Sequence, residues 1–226
     1  AGGEIVVDFA ALRSRVSRFL KGSRQVLAKS LTEAGIDLRN GRGVCAGQGL
    51  VSFQADGKEE LLQADAVILA GGSRNAVFSG MAPDGEAVLD STGALALADV
   101  PESLIIVGAG AIGLELGDFY AALGAKVTMV EAAPHIAPSE DPDIAAELER
   151  AITKAGRTCI SGVKAVSLAT RDGQARLELE DGRVLTAQKA LVAIGRAPNT
   201  QDLDCEKAGC ARDRRGFIVV DEALKA

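Results

Sequence analysis

Leu104-Ile105-Ile106-Val107-Gly108-Ala109-Gly110-Ala111-Ile112-Gly113 is the stretch that decides the fold. Four apolar residues in a row, three of them β-branched, predict a strand covered on both faces. The strand runs straight into a GxGxxG turn. Beyond it, Leu114, Leu116, Phe119 and Leu123 carry a helix that ends at Gly124. A second strand follows over Lys126-Val127-Thr128-Met129-Val130, closed by Glu131. Strand, glycine turn, helix, strand and acid, in that order over about 30 residues, predict a Rossmann-type unit that binds a dinucleotide. A glycine turn that binds nothing would not require the acid or the second strand.

Each residue type has a physical task. Gly108 permits the tight turn out of the strand, Gly110 lets backbone approach a pyrophosphate, and Gly113 lets helix and strands pack closely. Ala109, Ala111 and Ile112 supply backbone N–H groups at a helix start, whose dipole attracts phosphate. Glu131, with Ala132 beside it, can accept hydrogen bonds from ribose hydroxyls. A 2′-phosphate beside that carboxylate would be repelled, and no Arg or Lys lies between Ala132 and Ala137 to offset it. NAD(H) is therefore expected rather than NADP(H).

Further along, Asp141-Pro142 opens a helix with Ile144, Leu148, Ala151 and Ile152 on its buried face, ending at Gly156. Alternating stretches around Val163–Leu168 and Ala175–Leu179, a turn at Asp181-Gly182, then Val184-Leu185 suggest an inserted β-meander. Ala190–Ile194 reads as a returning buried strand ending at Gly195. Upstream, Asp8 is a candidate cap for a long amphipathic helix with Phe9, Leu12, Val16, Phe19, Val26 and Leu31 near one face, stopped by Gly35. Its Arg13, Arg15, Arg18, Lys21 and Arg24 could mean a membrane surface or an acidic partner, but a solvated face is the favoured reading. Residues 36–62 read as a small meander. Ala66-Val67-Ile68-Leu69-Ala70 reads as a buried parallel strand broken at Gly71-Gly72-Ser73. From Asn75 to Pro101 irregular chain is expected, with one short helix near Thr92–Ala98.

Composition is that of a globular α/β chain: 47% hydrophobic, 25% charged, 26 glycines and only 3% aromatic. A net charge of −6 and scarce aromatics argue against a nucleic-acid partner. No apolar run approaches a membrane span, and Ala1–Asp8 lacks the start of a secretion signal. With four scattered cysteines, the expected setting is cytoplasmic and reducing.

Taken together, Gly108–Gly113, Leu114-Glu115-Leu116-Gly117, Glu131, Glu140-Asp141-Pro142-Asp143 and Gly195-Arg196-Ala197-Pro198-Asn199-Thr200 resemble the flavin-dependent pyridine nucleotide–disulfide oxidoreductases, most closely the dihydrolipoamide dehydrogenase type. Ala70-Gly71-Gly72-Ser73 resembles a turn of the same family, though without its usual threonine. The resemblance implies an FAD-domain portion over residues 1–99, an NAD(H)-binding Rossmann domain with inserted meander over 100–215, and a return towards the FAD domain over 216–226. It implies Glu115 and Gly195 near the nicotinamide, Ala165 and Val166 near the adenine, and Gly72 and Ser73 at the adenosine end of FAD. It also implies electron transfer among NAD(H), FAD and a redox disulfide, a lipoyl-bearing protein partner and a homodimeric parent enzyme. The family's own FAD fingerprint, redox disulfide and catalytic His-Glu pair have no counterpart here. The chain is thus expected to be a central piece of a longer enzyme, able to bind dinucleotide without turning over, and to carry no catalytic residue itself. Alternatives are an NADH oxidase or coenzyme A-disulfide reductase of the same fold, or a non-catalytic NAD-binding module.

Two features are read as incidental. Cys205 and Cys210 share the CxxxxC spacing of the family's disulfide but lie in the wrong segment, and on a helix they would point to different sides. His135, the only histidine, lacks partners that would make it a metal ligand, and no metal is expected. Cys45 and Cys159 read as small core hydrophobes.

Overall fold

The computed structural model describes residues 7–226, so the reading of the first six residues lies outside it. In chain order, helix α1 spans Phe9–Glu33, and a meander of β1 (Arg42–Gly47), β2 (Leu50–Ala55) and β3 (Lys58–Gln63) follows. Next come β4 (Ser73–Asn75), β5 (Val88–Leu89) and α2 (Ser91–Ala96). The fingerprint region supplies β6 (Ser103–Val107), α3 (Ala111–Ala122), β7 (Lys126–Glu131), α4 (Pro142–Lys154) and β8 (Thr158–Ser161). A second meander comprises β9 (Ala165–Arg171), β10 (Gln174–Leu179) and β11 (Val184–Ala187). The chain ends with β12 (Lys189–Val192), β13 (Arg196–Pro198) and a 3₁₀ turn at Cys205–Ala208. Two compact units result: Asn75–Gly195 with the start of α1, and Arg15–Arg74 with Arg196–Ala226.

In the first unit a parallel sheet runs β5-β12-β6-β7-β8, and the antiparallel sheet β11-β10-β9 is the inserted meander. The two-residue side-chain period of β6 sorts its residues onto two faces. Leu104 and Ile106 join Val127, Met129, Leu191 and Tyr120 on the helix side. Ile105 and Val107 join Val130, Val192, Leu177 and Leu179 on the meander side. A run without polar alternation is what a strand needs when both faces are covered. Tyr120 is buried with its hydroxyl donating to the Ala94 carbonyl at 2.5 Å, so α3 and α2 share one core. Within α3, a Cβ on Gly117 would lie 2.4 Å from the Met129 side chain and 2.9 Å from that of Ile106. A larger residue there would lift the helix off the sheet.

The structure revises the sequence reading in several places. Strand β5 was not foreseen; two residues are too few to show a period, yet Val88 and Leu89 are buried and Val88 pairs with Ala190. Ala66–Ala70 is not a strand: no described strand pairs with it, and Ile68 is 91% exposed. An apolar run becomes a buried strand only where neighbours supply hydrogen bonds and cover. The candidate face of α1 is only partly covered: no residue of the helix is buried, Phe9, Leu12 and Leu31 are half-buried, and Val16, Phe19 and Val26 are exposed. Its ends match the reading: the Ala11 N–H donates to Asp8 Oδ1 at 2.9 Å, and Gly35 leaves the helix at φ +76°. Asp141 stands at the start of α4 with Pro142 in the first turn, but its side chain makes no capping bond. No helix among the described residues is long and apolar enough to cross a membrane.

Candidate functional site

The site lies where β6 leaves the sheet. Val107 is held in register with Val130 of β7 and Val192 of β12, so the chain emerges at the carboxyl end of three parallel strands. Open α/β sheets bind ligands at that edge. Gly108 turns there at φ +97°, its N–H donating to the Val130 carbonyl at 2.8 Å. A Cβ on Gly108 would stand 2.5 Å from the Ala193 carbonyl oxygen. One on Gly113 would stand 2.0 Å from the carbonyl oxygen of Gly108, a backbone atom with little room to give. Both glycines are thus set by protein contacts.

Gly110 is different: a Cβ there would meet nothing within 4 Å. It precedes α3 without a side-chain cap, so the first-turn N–H groups of α3 face open space beside it. Unpartnered N–H groups, a helix dipole and a bare glycine make a cradle for a diphosphate.

Glu131 closes the other side. Its Oε2 accepts from the Ala109 N–H and its Oε1 from the Ala133 N–H, each at 2.8 Å. The carboxylate therefore ties the end of β7 to the glycine turn. Each oxygen keeps a lone pair for an incoming hydroxyl, so a vicinal diol fits this geometry. The following loop is pinned as well, by Ala137 N–H to the Ala109 carbonyl and Gly162 N–H to the Ala133 carbonyl.

These groups border a cavity of about 580 Å³, large enough for a dinucleotide moiety. Of the residues expected from sequence, Gly108, Gly110, Ala111, Ile112, Glu131, Ala132, Ala165 and Gly195 line it. Ala109 and Gly113 are buried behind the turn. Glu115 lies exposed on α3 and Val166 is 55% exposed; neither lines the cavity. Gly72 and Ser73 belong to the other unit. There the Gly72 carbonyl accepts from the Asn199 N–H at 3.0 Å, and Ser73 Oγ accepts from Arg196 Nε at 2.7 Å. Sequence reading noticed both partners of that pairing without seeing that they meet.

Phe78, Met81, Pro138, Val163 and Ile194 also line the cavity and were not foreseen. Ile194 adjoins Gly195 and could have been included on that ground. Phe78 and Met81 lie in chain without periodicity, which offered no signal. His135 donates through Nδ1 to the neighbouring Ile136 carbonyl at 2.8 Å. Among the described residues no cluster of His, Cys, Asp and Glu could hold a metal ion.

Comparison with known proteins places this geometry in context. The family described as "Pyridine nucleotide-disulphide oxidoreductase" matches residues 9–226. A Pseudomonas aeruginosa protein, dihydrolipoyl dehydrogenase 3, is 40% identical over 178 residues, which is 76% of this chain and 38% of that protein. Dihydrolipoyl dehydrogenase of Chlorobaculum parvum is 35% identical over 234 residues, 98% of this chain and 50% of the relative. Among solved structures, LpdA of Mycobacterium tuberculosis superposes with a TM-score of 0.88 at 29% identity, covering 97% of this chain and 49% of its own. The Escherichia coli flavoprotein disulfide reductase RclA gives 0.85 at 28%, covering 95% and 49%. The chain spans about half the length of the curated relatives it matches.

Proposed function

This chain belongs to the pyridine nucleotide–disulfide oxidoreductases, and from that premise we propose that residues 100–215 bind NAD(H) for a dihydrolipoamide dehydrogenase-like flavoenzyme. The observation that carries the reading is the Glu131 carboxylate, bonded to the glycine turn and to Ala133, beside the open space at Gly110. In this reading the α3 N-terminus and Gly110 hold the pyrophosphate, and Glu131 and Ala132 hold the adenosine ribose. Val163 and Ala165 border the adenine, and Gly195 borders the nicotinamide. Bound NAD(H) supplies or accepts a hydride. The chain's part is to orient the cofactor and, through Phe78, Met81 and Ile194, to keep water from it.

Residues 1–99 and 216–226 belong in the same reading to an FAD domain, with Gly72 and Ser73 towards the adenosine end of FAD. Electrons would pass between a lipoyl dithiol on a partner protein, FAD and NAD in a cytoplasmic homodimer.

Calorimetric titration with NADH and NADPH tests the reading. NADH is expected to bind at least about tenfold more tightly, since about 1.4 kcal/mol of charge repulsion suffices for that ratio. Glu131→Gln keeps one acceptor oxygen but removes the charge, and should narrow the gap. Equal affinities in the parent chain, or no NADH binding by folded protein, would sink the proposal.

A further inference from the structure

Three of the four cysteines converge in the unit formed by Arg15–Arg74 and Arg196–Ala226, and none of the three lines the cavity assigned to NAD(H). Cys45 sits within β1, and its N–H donates to the Leu203 carbonyl at 2.9 Å. That bond sets the strand against the 3₁₀ turn that begins at Cys205. The turn ends at Gly209, φ +86°, and the Cys210 N–H then donates to the Cys205 carbonyl at 3.0 Å. This is the six-to-one bond of a Schellman stop, whose bracketing side chains commonly meet. Here both brackets are cysteines. The expectation that Cys205 and Cys210 diverge assumed a continuing helix, whereas the glycine folds the chain back.

The cluster is dense. Cys45, Cys205 and Cys210 are 4%, 0% and 9% exposed, and β1 packs directly against the 3₁₀ turn that Cys205 opens. Cys210 is tied to Cys205 by the backbone bond and shares a cavity wall with Cys45. A cavity of about 200 Å³, walled by Val67, Leu69 and Ala208 among others, opens onto Cys45 and Cys210 but not onto Cys205.

We infer that Cys45 and Cys205 form a hydroperoxide-responsive dithiol, with Cys45 the sulfur that meets the oxidant and Cys205 the one that resolves it. A small hydroperoxide enters the cavity and is attacked by the Cys45 sulfur. An S–O bond forms, the O–O bond breaks, and the departing oxygen takes the thiol proton, leaving as water or alcohol. The Cys205 sulfur then attacks the Cys45 sulfenic acid. The S–S bond forms and the hydroxyl leaves with the Cys205 proton as water, so two thiols give up two electrons and one peroxide is reduced. Burial, and after it the neighbouring thiols, push both Cys45 and Cys205 up in pKa. Few thiolates exist at neutral pH, so the site answers sustained exposure rather than brief contact. Independence from the dinucleotide reading is complete, since none of the three thiols lines that cavity.

The test treats purified protein with hydrogen peroxide, blocks free thiols by alkylation, and maps peptides without reduction. The expected product is one cystine joining Cys45 to Cys205, reversed by dithiothreitol, with alkylatable thiols falling from four to two. In Cys205→Ser, dimedone should label Cys45 and no cystine containing Cys45 should form. Phenylarsine oxide, which needs two adjacent thiols, provides a measurement on the unsubstituted protein: it should protect Cys45 and Cys205 from alkylation. A cystine joining Cys205 to Cys210, oxidation confined to Cys159, or no arsenical protection would each overturn the inference.

Discussion

Leu104–Val107 and Ala66–Ala70 are nearly the same kind of sequence, and their fates differ completely. The first is flanked by parallel strands and covered on both faces, with Ile106 fully buried. The second pairs with no described strand and leaves Ile68 almost wholly exposed. Composition favours a strand in both. What separates them is whether other chain arrives alongside to bond the backbone and cover the side chains. Apolar sequence sets an opportunity for burial, and topology decides whether it is taken.

The largest expected effect sharpens that contrast. Ile106→Ala should cost about 2–5 kcal/mol, the range for a fully buried aliphatic, whereas Ile68→Ala should stay within about 0.5 kcal/mol. Urea unfolding of the two variants measures both. A cost at Ile68 matching that at Ile106 would mean that the second run is covered in solution. Next come the two glycines of the turn. Gly113→Ala puts a methyl against a backbone oxygen and should cost roughly 1–3 kcal/mol, seen as a lower midpoint in the same experiment. Gly110→Ala meets no protein atom, so it should leave stability almost unchanged and weaken NADH binding instead. A destabilised Gly110→Ala with intact binding would reverse the roles given to them.

Smaller effects probe how the sheet holds its helices. Tyr120→Phe removes the bond to the Ala94 carbonyl, which keeps its bond from the Leu97 N–H, and should cost about 1 kcal/mol by thermal unfolding. Asp90 caps α2, accepting from the Gly93 N–H at 2.8 Å and from Asn75 Nδ2 at 2.8 Å. The Gly93 bond, against a desolvation cost and with help from Asn75, holds its carboxyl below the usual range. A depressed folded pKa contributes stability above the unfolded value near 4, and that stability is lost as pH falls through the folded value. Asp90→Ala should therefore cost about 1 kcal/mol at pH 7 and progressively less in acid. An undiminished cost at pH 2 would assign the effect to packing rather than to the charged cap.

Legibility followed the same division. The fingerprint could be read because each of its residues answers a local demand: apolar runs for β6, glycines for the turn, helix spacing for α3, an acid after β7. Phe78 and Met81 could not, because they reach the cavity from chain with no period of its own. Strand β5 was hidden for a related reason, being too short to carry a pattern and existing only because β12 offers it an edge. The thiol cluster was equally hidden. Cys45 and Cys205 are far apart in sequence, and only the β1 bond to Leu203 and the turn at Gly209 bring them together.

By itself, then, the sequence determined the βαβ unit, its glycine turn and the carboxylate at its end, since these depend on backbone conformation and on side-chain period within some 30 residues. Only the tertiary structure decided which apolar runs are covered, which residues wall the cavity and which cysteines meet. Those outcomes depend on contacts between distant segments, and no local propensity encodes what will lie on the other side of a side chain.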